Sequence, residues 1–227
     1  MTQIQQARKG ITTDEMITVA KAEGISPDTL REHVAKGHVV IPANLVHLSK
    51  NLVPIGIGRP LTTKVNANIG ASSLASDREH ELNKLRVALK YGADTVMDLS
   101  TGGDVDLCRS TLINESTAPI GTVPLYEMII NRRIEDLTTK DILDTCLKQA
   151  EQGVDFFTIH AGVLNEHIPL VEKRLAGCVS RGGSLLLKWM SHHNKQNPFY
   201  EVFDDLCGIM SEYDVSFSLG RSEERRV

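Results

Sequence analysis

The feature that most constrains this chain is a regular beat of short apolar runs, each ending in a residue suited to ligand contact. Asn68, Met97, Tyr126 and His160 follow one another at intervals of 29, 29 and 34 residues. About 30 residues is the length of one strand plus one returning helix. The clearest run lies in GADTVMDLSTGGD (92–104), where Ala93, Val96, Met97 and Leu99 are bounded by Gly92 and by Ser100-Thr101-Gly102-Gly103. Such a run predicts a strand buried on both faces. The glycine pair after it frees backbone amides for an anion, and a tight strand-to-helix turn accounts for it equally well.

The construction recurs. Strands are expected near residues 65, 96, 122, 158, 179 and 217, with helices between them. Ser76-x-x-Glu79 caps a helix carrying Leu82, Leu85, Ala88 and Leu89, and Thr138-x-x-Asp141 opens one carrying Ile142, Cys146, Leu147 and Ala150. Further helices are expected around 105–113, near 165–175, through Lys188 and Trp189, and from Pro198 onward. Strands alternating with helices predict an α/β fold of parallel βα units. A (β/α)8 TIM-type barrel runs to about 250 residues, so about six units fall two short of it. The expected organisation is an incomplete βα barrel over 61–220, a small N-terminal appendage over 1–60 and a charged tail, RSEERRV, over 221–227. In the appendage, Thr12-x-x-Glu15 and Ser26-Pro27 open two helices, and a short strand runs from His38 to Ile41.

Charge and composition exclude other classes. A net charge of −4 offers no basic excess for phosphate neutralisation, so no general nucleic-acid binding is expected. No apolar run approaches the roughly 20 residues of a membrane helix. The start, MTQIQQARKG, lacks a signal peptide's apolar core, so the expected location is cytoplasmic. Cys108, Cys146, Cys178 and Cys207 are separated by 38, 32 and 29 residues, which matches no short metal-ligand spacing. They read as buried free thiols, and no metal site is expected from them.

Barrels of this class build active sites where strands end. There the candidates are Asn68, with a donor and an acceptor for a heterocycle edge, and Met97, as an apolar contact or core residue. Tyr126 offers a hydroxyl to a phosphate or simply caps its strand. His160 follows the run FFTI and is either a catalyst or a hydrogen-bonded core residue. Ser180, Arg181 and Gly182 precede Gly183 and Ser184 at a helix start, where a guanidinium and helix-end amides suit a phosphate. His192-His193 reads as solvated surface.

These residues lie in ARKG (7–10), IPAN (41–44), KVNANIG (64–70), GADTVMDLSTG (92–102), PIGTVPLY (119–126), FFTIHAGVL (156–164), VSRGGS (179–184) and YDVSFSLG (213–220). In these stretches the chain resembles the N-terminal part of the phosphomethylpyrimidine synthase family. The resemblance implies a radical enzyme that rearranges aminoimidazole ribonucleotide to the hydroxymethylpyrimidine phosphate of thiamine. It also implies S-adenosylmethionine, a four-iron, four-sulfur cluster, zinc and a homodimer. Carried over by motif, the ribonucleotide contacts are Asn68, Met97, Tyr126, His160, Ser180, Arg181 and Gly182. Family members continue Ser-Leu-Gly with Asp-Gly-Leu-Arg, whereas this chain reads Arg221-Ser222-Glu223. Zinc and cluster ligands, including the CxxCxxxxC motif, would fall after Gly220, so the expectation is a truncated enzyme, inactive alone. The alternatives are a hydroxybenzimidazole synthase paralogue acting on the same ribonucleotide, or a non-catalytic fragment that binds it.

Overall fold

Helix caps set the N-terminal elements in a computed structural model that describes residues 1–72 and 78–219. Helix α1 (Gln3–Arg8) opens on a reciprocal box between Thr2 and Gln5 that the sequence reading missed. Helix α2 (Asp14–Glu23) is capped by Thr13, one residue after the expected Thr12, and closes at Gly24. Helix α3 (Pro27–Ala35) starts on Ser26, whose hydroxyl accepts the Thr29 amide, as the Ser-Pro pair predicts. Strand β1 (Val39–Val40), helix α4 (Leu45–Leu48) and strand β2 (Ile57–Gly58) follow, with β1 and β2 antiparallel. Met16, Val19, Leu30, Val34, Val39 and Ile41 close over one another as a separate small core.

From there strands and helices alternate. They are β3 (Asn66–Ile69), α5 (Arg78–Lys90), β4 (Thr95–Asp98), α6 (Val105–Glu115), β5 (Ile120–Thr122), α7 (Pro124–Met128), α8 (Thr139–Gln152) and β6 (Phe156–Ile159). Helices α9 (Ile168–Glu172), α10 (Arg181–His193), α11 (Pro198–Glu201) and α12 (Phe203–Tyr213) lead to β7 (Ser216–Leu219). Strands β3 to β7 form one parallel sheet in chain order. One face of it is apolar: Ile69, Val96, Ile120, Phe157 and Ile159 are buried in the main core with Leu85, Leu112 and Ile142 of the helices. The other face carries Asn66, Asn68, Thr95, Met97, Gly121, Phe156, Ser216 and Ser218, of which Asn66, Asn68 and Ser218 are exposed.

Four expectations need correction. No strand forms near 179, so the described residues hold five parallel strands rather than six. Val179 is 78% exposed, Ser180 turns its hydroxyl back to cap α10, and β7 takes the place beside β6 directly. Tyr126 does not end a strand, because Pro124 starts α7 two residues after β5 stops. Met97 is partly exposed, so the face of β4 that it shares with the buried Thr95 is less fully covered than the Val96 face. The helix near 165–175 shrinks to a 3-10 turn over Asn165–His167 and the single turn of α9. The Ser76 cap, Gly220 and the tail lie outside the described residues.

At the amino end of the sheet, His47 and Asp155 are fully buried together, with Nδ1 2.7 Å from Oδ2. Removing one partner leaves an uncompensated buried charge, which costs about 3–5 kcal/mol. His47→Ala should lower the unfolding free energy by that much in a urea titration, and a loss below about 1 kcal/mol, the value of an exposed pair, would show the link to be dispensable.

Asp214, at the end of α12, accepts the Gln3 amide at 2.8 Å, joining α1 to the start of β7. Burial lifts its carboxyl to about 6, with the nearby Glu15 charge adding to the rise and the chain's amino terminus opposing it. Between roughly pH 4 and 6 the folded chain therefore holds a proton that the unfolded chain releases. The Asp214 contribution to stability falls as pH rises through that window. Asp214→Asn should flatten the fall in urea midpoint across it, and parallel wild-type and variant curves would place the titration elsewhere.

Candidate functional site

Helix α10 begins where the chain after β6 returns to the sheet. Ser180 accepts the Gly183 amide at 3.2 Å and fixes the first turn, and no acidic residue occupies that turn. By helix geometry the amides of Arg181 and Gly182 stay open as donors. The Arg181 guanidinium lies over the Tyr126 ring, 4.8 Å from its centroid, a cation–π contact that holds both side chains at this corner. Tyr126 reaches it because α7 leaves β5 at once.

His160 follows β6 directly and packs against Gly182. A Cβ on Gly182 would stand 2.6 Å from His160 Nε2 and 2.7 Å from Nδ1, so only glycine lets the ring lie there. The main chain at His160 is held by Asn197, whose Nδ2 donates to the carbonyls of His160 (2.7 Å) and Val163 (2.8 Å). Burial lowers the imidazole pKa, so the ring is neutral at neutral pH. Its buried Nδ1 has no hydrogen-bond partner in the protein. A neutral ring with a free nitrogen is equipped to accept from or donate to a ligand.

Five of the seven expected residues thus form one contact cluster: Tyr126, His160, Ser180, Arg181 and Gly182. Asn68 and Met97 are register partners on β3 and β4. They sit deeper on the polar face, because Met97 is level with Gly121 and Gly121 with Phe156, four residues before His160. No described hydrogen bond or ring contact joins the two groups. Part of the polar face, from Asn66 and Thr95 to Ser216, lines a cavity of about 400 Å³ whose other wall is Val40, Pro42 and Ile57 of the N-terminal segment; Asn68 is not in its lining.

Three supporting residues escaped the sequence reading. Thr95 and Asn66 sit beside Asn68; the period-two pattern of Asn66-Ala67-Asn68 already places both asparagines on one face. Asn197 was readable as the cap before Pro198, but not as the group that holds His160. Of the His192-His193 pair, His192 is exposed as expected, whereas His193 packs on Trp189 with centroids 4.4 Å apart and bonds the Glu135 carbonyl at 2.8 Å.

Parallel strands wound in chain order, with an apolar face under helices and a polar face ending in this cluster, define an α/β protein of the repeating βα class. Within that class the chain belongs to the radical SAM ThiC family of thiamine biosynthesis, which it matches over residues 2–223. Radical enzymes of this kind use S-adenosylmethionine and an iron–sulfur cluster held by thiolates. The cysteines described here do not fit such a cluster. Cys108 is buried on α6, with its thiol pushed up to about 12 by burial, and Cys146 is buried on α8 and pushed up for the same reason. Cys178 donates weakly to the Ser180 carbonyl at 3.7 Å, and Cys207 sits apart on α12. Among the described residues no group of three or more His, Cys, Asp or Glu side chains is placed to hold a metal ion, and no helix is long and apolar enough to cross a membrane.

The Gly182 seat gives a direct test. Gly182→Ala should push the His160 ring off α10 and toward water, raising its pKa toward the ordinary value of about 6.5 in an NMR titration. An unchanged His160 titration would mean that the ring does not depend on the missing Cβ.

Proposed function

We propose that this chain binds aminoimidazole ribonucleotide at the carboxyl ends of its parallel strands. The reaction served is the family's radical rearrangement to the hydroxymethylpyrimidine phosphate of thiamine. The observation that carries the reading is the Arg181–Tyr126 contact made from the first residue of α10. A guanidinium and helix-start amides belong to the same first turn, a pairing suited to a phosphate. His160, neutral and seated on Gly182, stands beside the phosphate position and meets the ribose. Asn68 and Met97, deeper on the polar face, meet the base, one by hydrogen bonding and the other by apolar contact. Each of these residues binds or orients, and none is assigned a radical step. The chain-order winding and the single helix-covered face support a further proposal, that the five strands are part of a (β/α)8 barrel.

Calorimetry tests the reading. Arg181→Ala should weaken ribonucleotide binding by about 1.5–3 kcal/mol, the scale of a charge-assisted hydrogen bond. The nucleoside lacking the phosphate should bind wild type and variant alike. Equal losses for ribonucleotide and nucleoside would remove the phosphate from this corner, and unchanged ribonucleotide affinity would remove Arg181 from the site.

A further inference from the structure

Three side chains on β3 and β4 form a directed line on the polar face of the sheet. Thr95, buried at the register position opposite Asn66, donates its hydroxyl proton to Asn66 Oδ1 at 2.9 Å. Asn66 donates Nδ2 to Asn68 Oδ1 at 2.8 Å. The two asparagines are two residues apart on one strand and so share a face. An amide has one accepting and one donating end. An amide met at its oxygen must present N–H on its other side, so the polarity is handed from Thr95 through Asn66 to Asn68. Asn68 is engaged at its oxygen, which leaves its NH₂ group as the free donating end of the line.

We propose that Thr95 and Asn66 are positioning residues that set Asn68 as a hydrogen-bond donor, so that this position reads an acceptor on the ligand. Resting on the ribonucleotide reading above, that acceptor is the unsubstituted ring nitrogen of the imidazole rather than its exocyclic amine. A line running the other way would leave Asn68 Oδ1 free, and the amine would be the group it selected. The same scaffold residue thus chooses between two edges of one small heterocycle according to what its neighbours donate. Neither Thr95 nor Asn66 need touch the ligand for this.

The line is testable without ligand on the 227-residue chain. In ¹⁵N–¹H spectra the Asn66 side-chain amide protons should exchange with water more slowly than those of Asn68. Asn66→Asp keeps the shape and can still accept from Thr95, but has no proton to give. In that variant the Asn68 amide should turn over to donate to the new carboxylate, and its protons should exchange more slowly than they do in the wild type. Thr95→Ser should retain the wild-type pattern and Thr95→Val should lose it. Equal exchange at the two asparagines, or a slower Asn68 in the wild type, overturns the proposal.

Calorimetry with aminoimidazole ribonucleotide and with ribose 5-phosphate then reads the consequence. Asn66→Asp should weaken the ribonucleotide about tenfold, with ribose 5-phosphate unaffected and Thr95→Ser within about twofold of wild type. Equal weakening of both ligands overturns the reading of the base edge. If the exchange pattern holds while wild-type chain binds no ribonucleotide, the substrate reading fails and the donor orientation of Asn68 stands.

Discussion

The carboxylate of Asp155 is the point on which the two cores of this chain close. It sits just before β6, buried completely, where an unpaired charge is untenable. Oδ1 accepts the Asn44 amide at 3.0 Å, and Oδ2 accepts the Ile120 amide at 2.7 Å and meets His47 Nδ1 at 2.7 Å. Its own carbonyl takes the Ser216 amide at 2.9 Å. One residue therefore joins α4, β5, β6 and β7. Burial raises the carboxyl pKa, and His47 with the two amides opposes that rise. The Ser116 carbonyl, which only accepts, faces His47 Nε2 at 3.1 Å, so that nitrogen carries a proton and the Nδ1–Oδ2 contact shares another. Asn44 completes the joint by donating to the carbonyls of Ala150 and Val154. The amino ends of the strands are thus pinned, and the His160 cluster lies at the opposite, carboxyl end of β6.

The site's outer elements are too short to hold themselves. Helix α7 has five residues, below the length at which a helix is stable alone. Its Glu127 is gripped by Arg109 from α6 and by Lys148 and Gln149 from α8, with Asp106 bonded to the same cations. Arg109 is nearly enclosed, so this network is screened less than a surface pair. Holding Glu127 places its neighbour Tyr126 beneath Arg181. Asn197 serves the facing loop in the same way, tying His160 and Val163 to the start of α11. The polar corner is therefore set by charges and amides that never enter it.

The βα rhythm was readable because strands that feed helices need apolar runs, caps and stops at fixed places, and Thr138, Ser180, Gly92 and Gly153 supply them. What misled was local chemistry read without its partner. GCVSRGGS looks like another strand end, yet Val179 has nothing to bury against and the segment is spent on capping α10. PIGTVPLY carries strand-forming residues to its last position, but Pro124 supplies the fixed φ of a first helical turn. The five-residue contact cluster follows from residue types that suit a phosphate at strand ends. Its supports, Asn197 and the Arg109–Glu127 grip, and the Thr95 bond near Asn68 depend on contacts across 18 to 37 residues of chain, which no local pattern displays.

The two faces of the sheet obey opposite rules, and the difference bears on what the polar face is for. A dry barrel interior is filled by bulky branched side chains in layers. Here the positions that would fill it are Asn66, Asn68, Thr95, Met97, Gly121, Phe156, Ser216 and Ser218. Phe156 occupies the space over Gly121, where any Cβ would strike its ring, and with Met97 supplies the large apolar groups in the row. The remaining polar groups cannot be packed dry, because each enclosed donor or acceptor needs a partner. Thr95, Asn66 and Asn68 partly satisfy one another, and the Asn68 NH₂ and the Ser216 and Ser218 hydroxyls have no described partner. A face whose polar side chains are in part exposed to solvent is not a packed core.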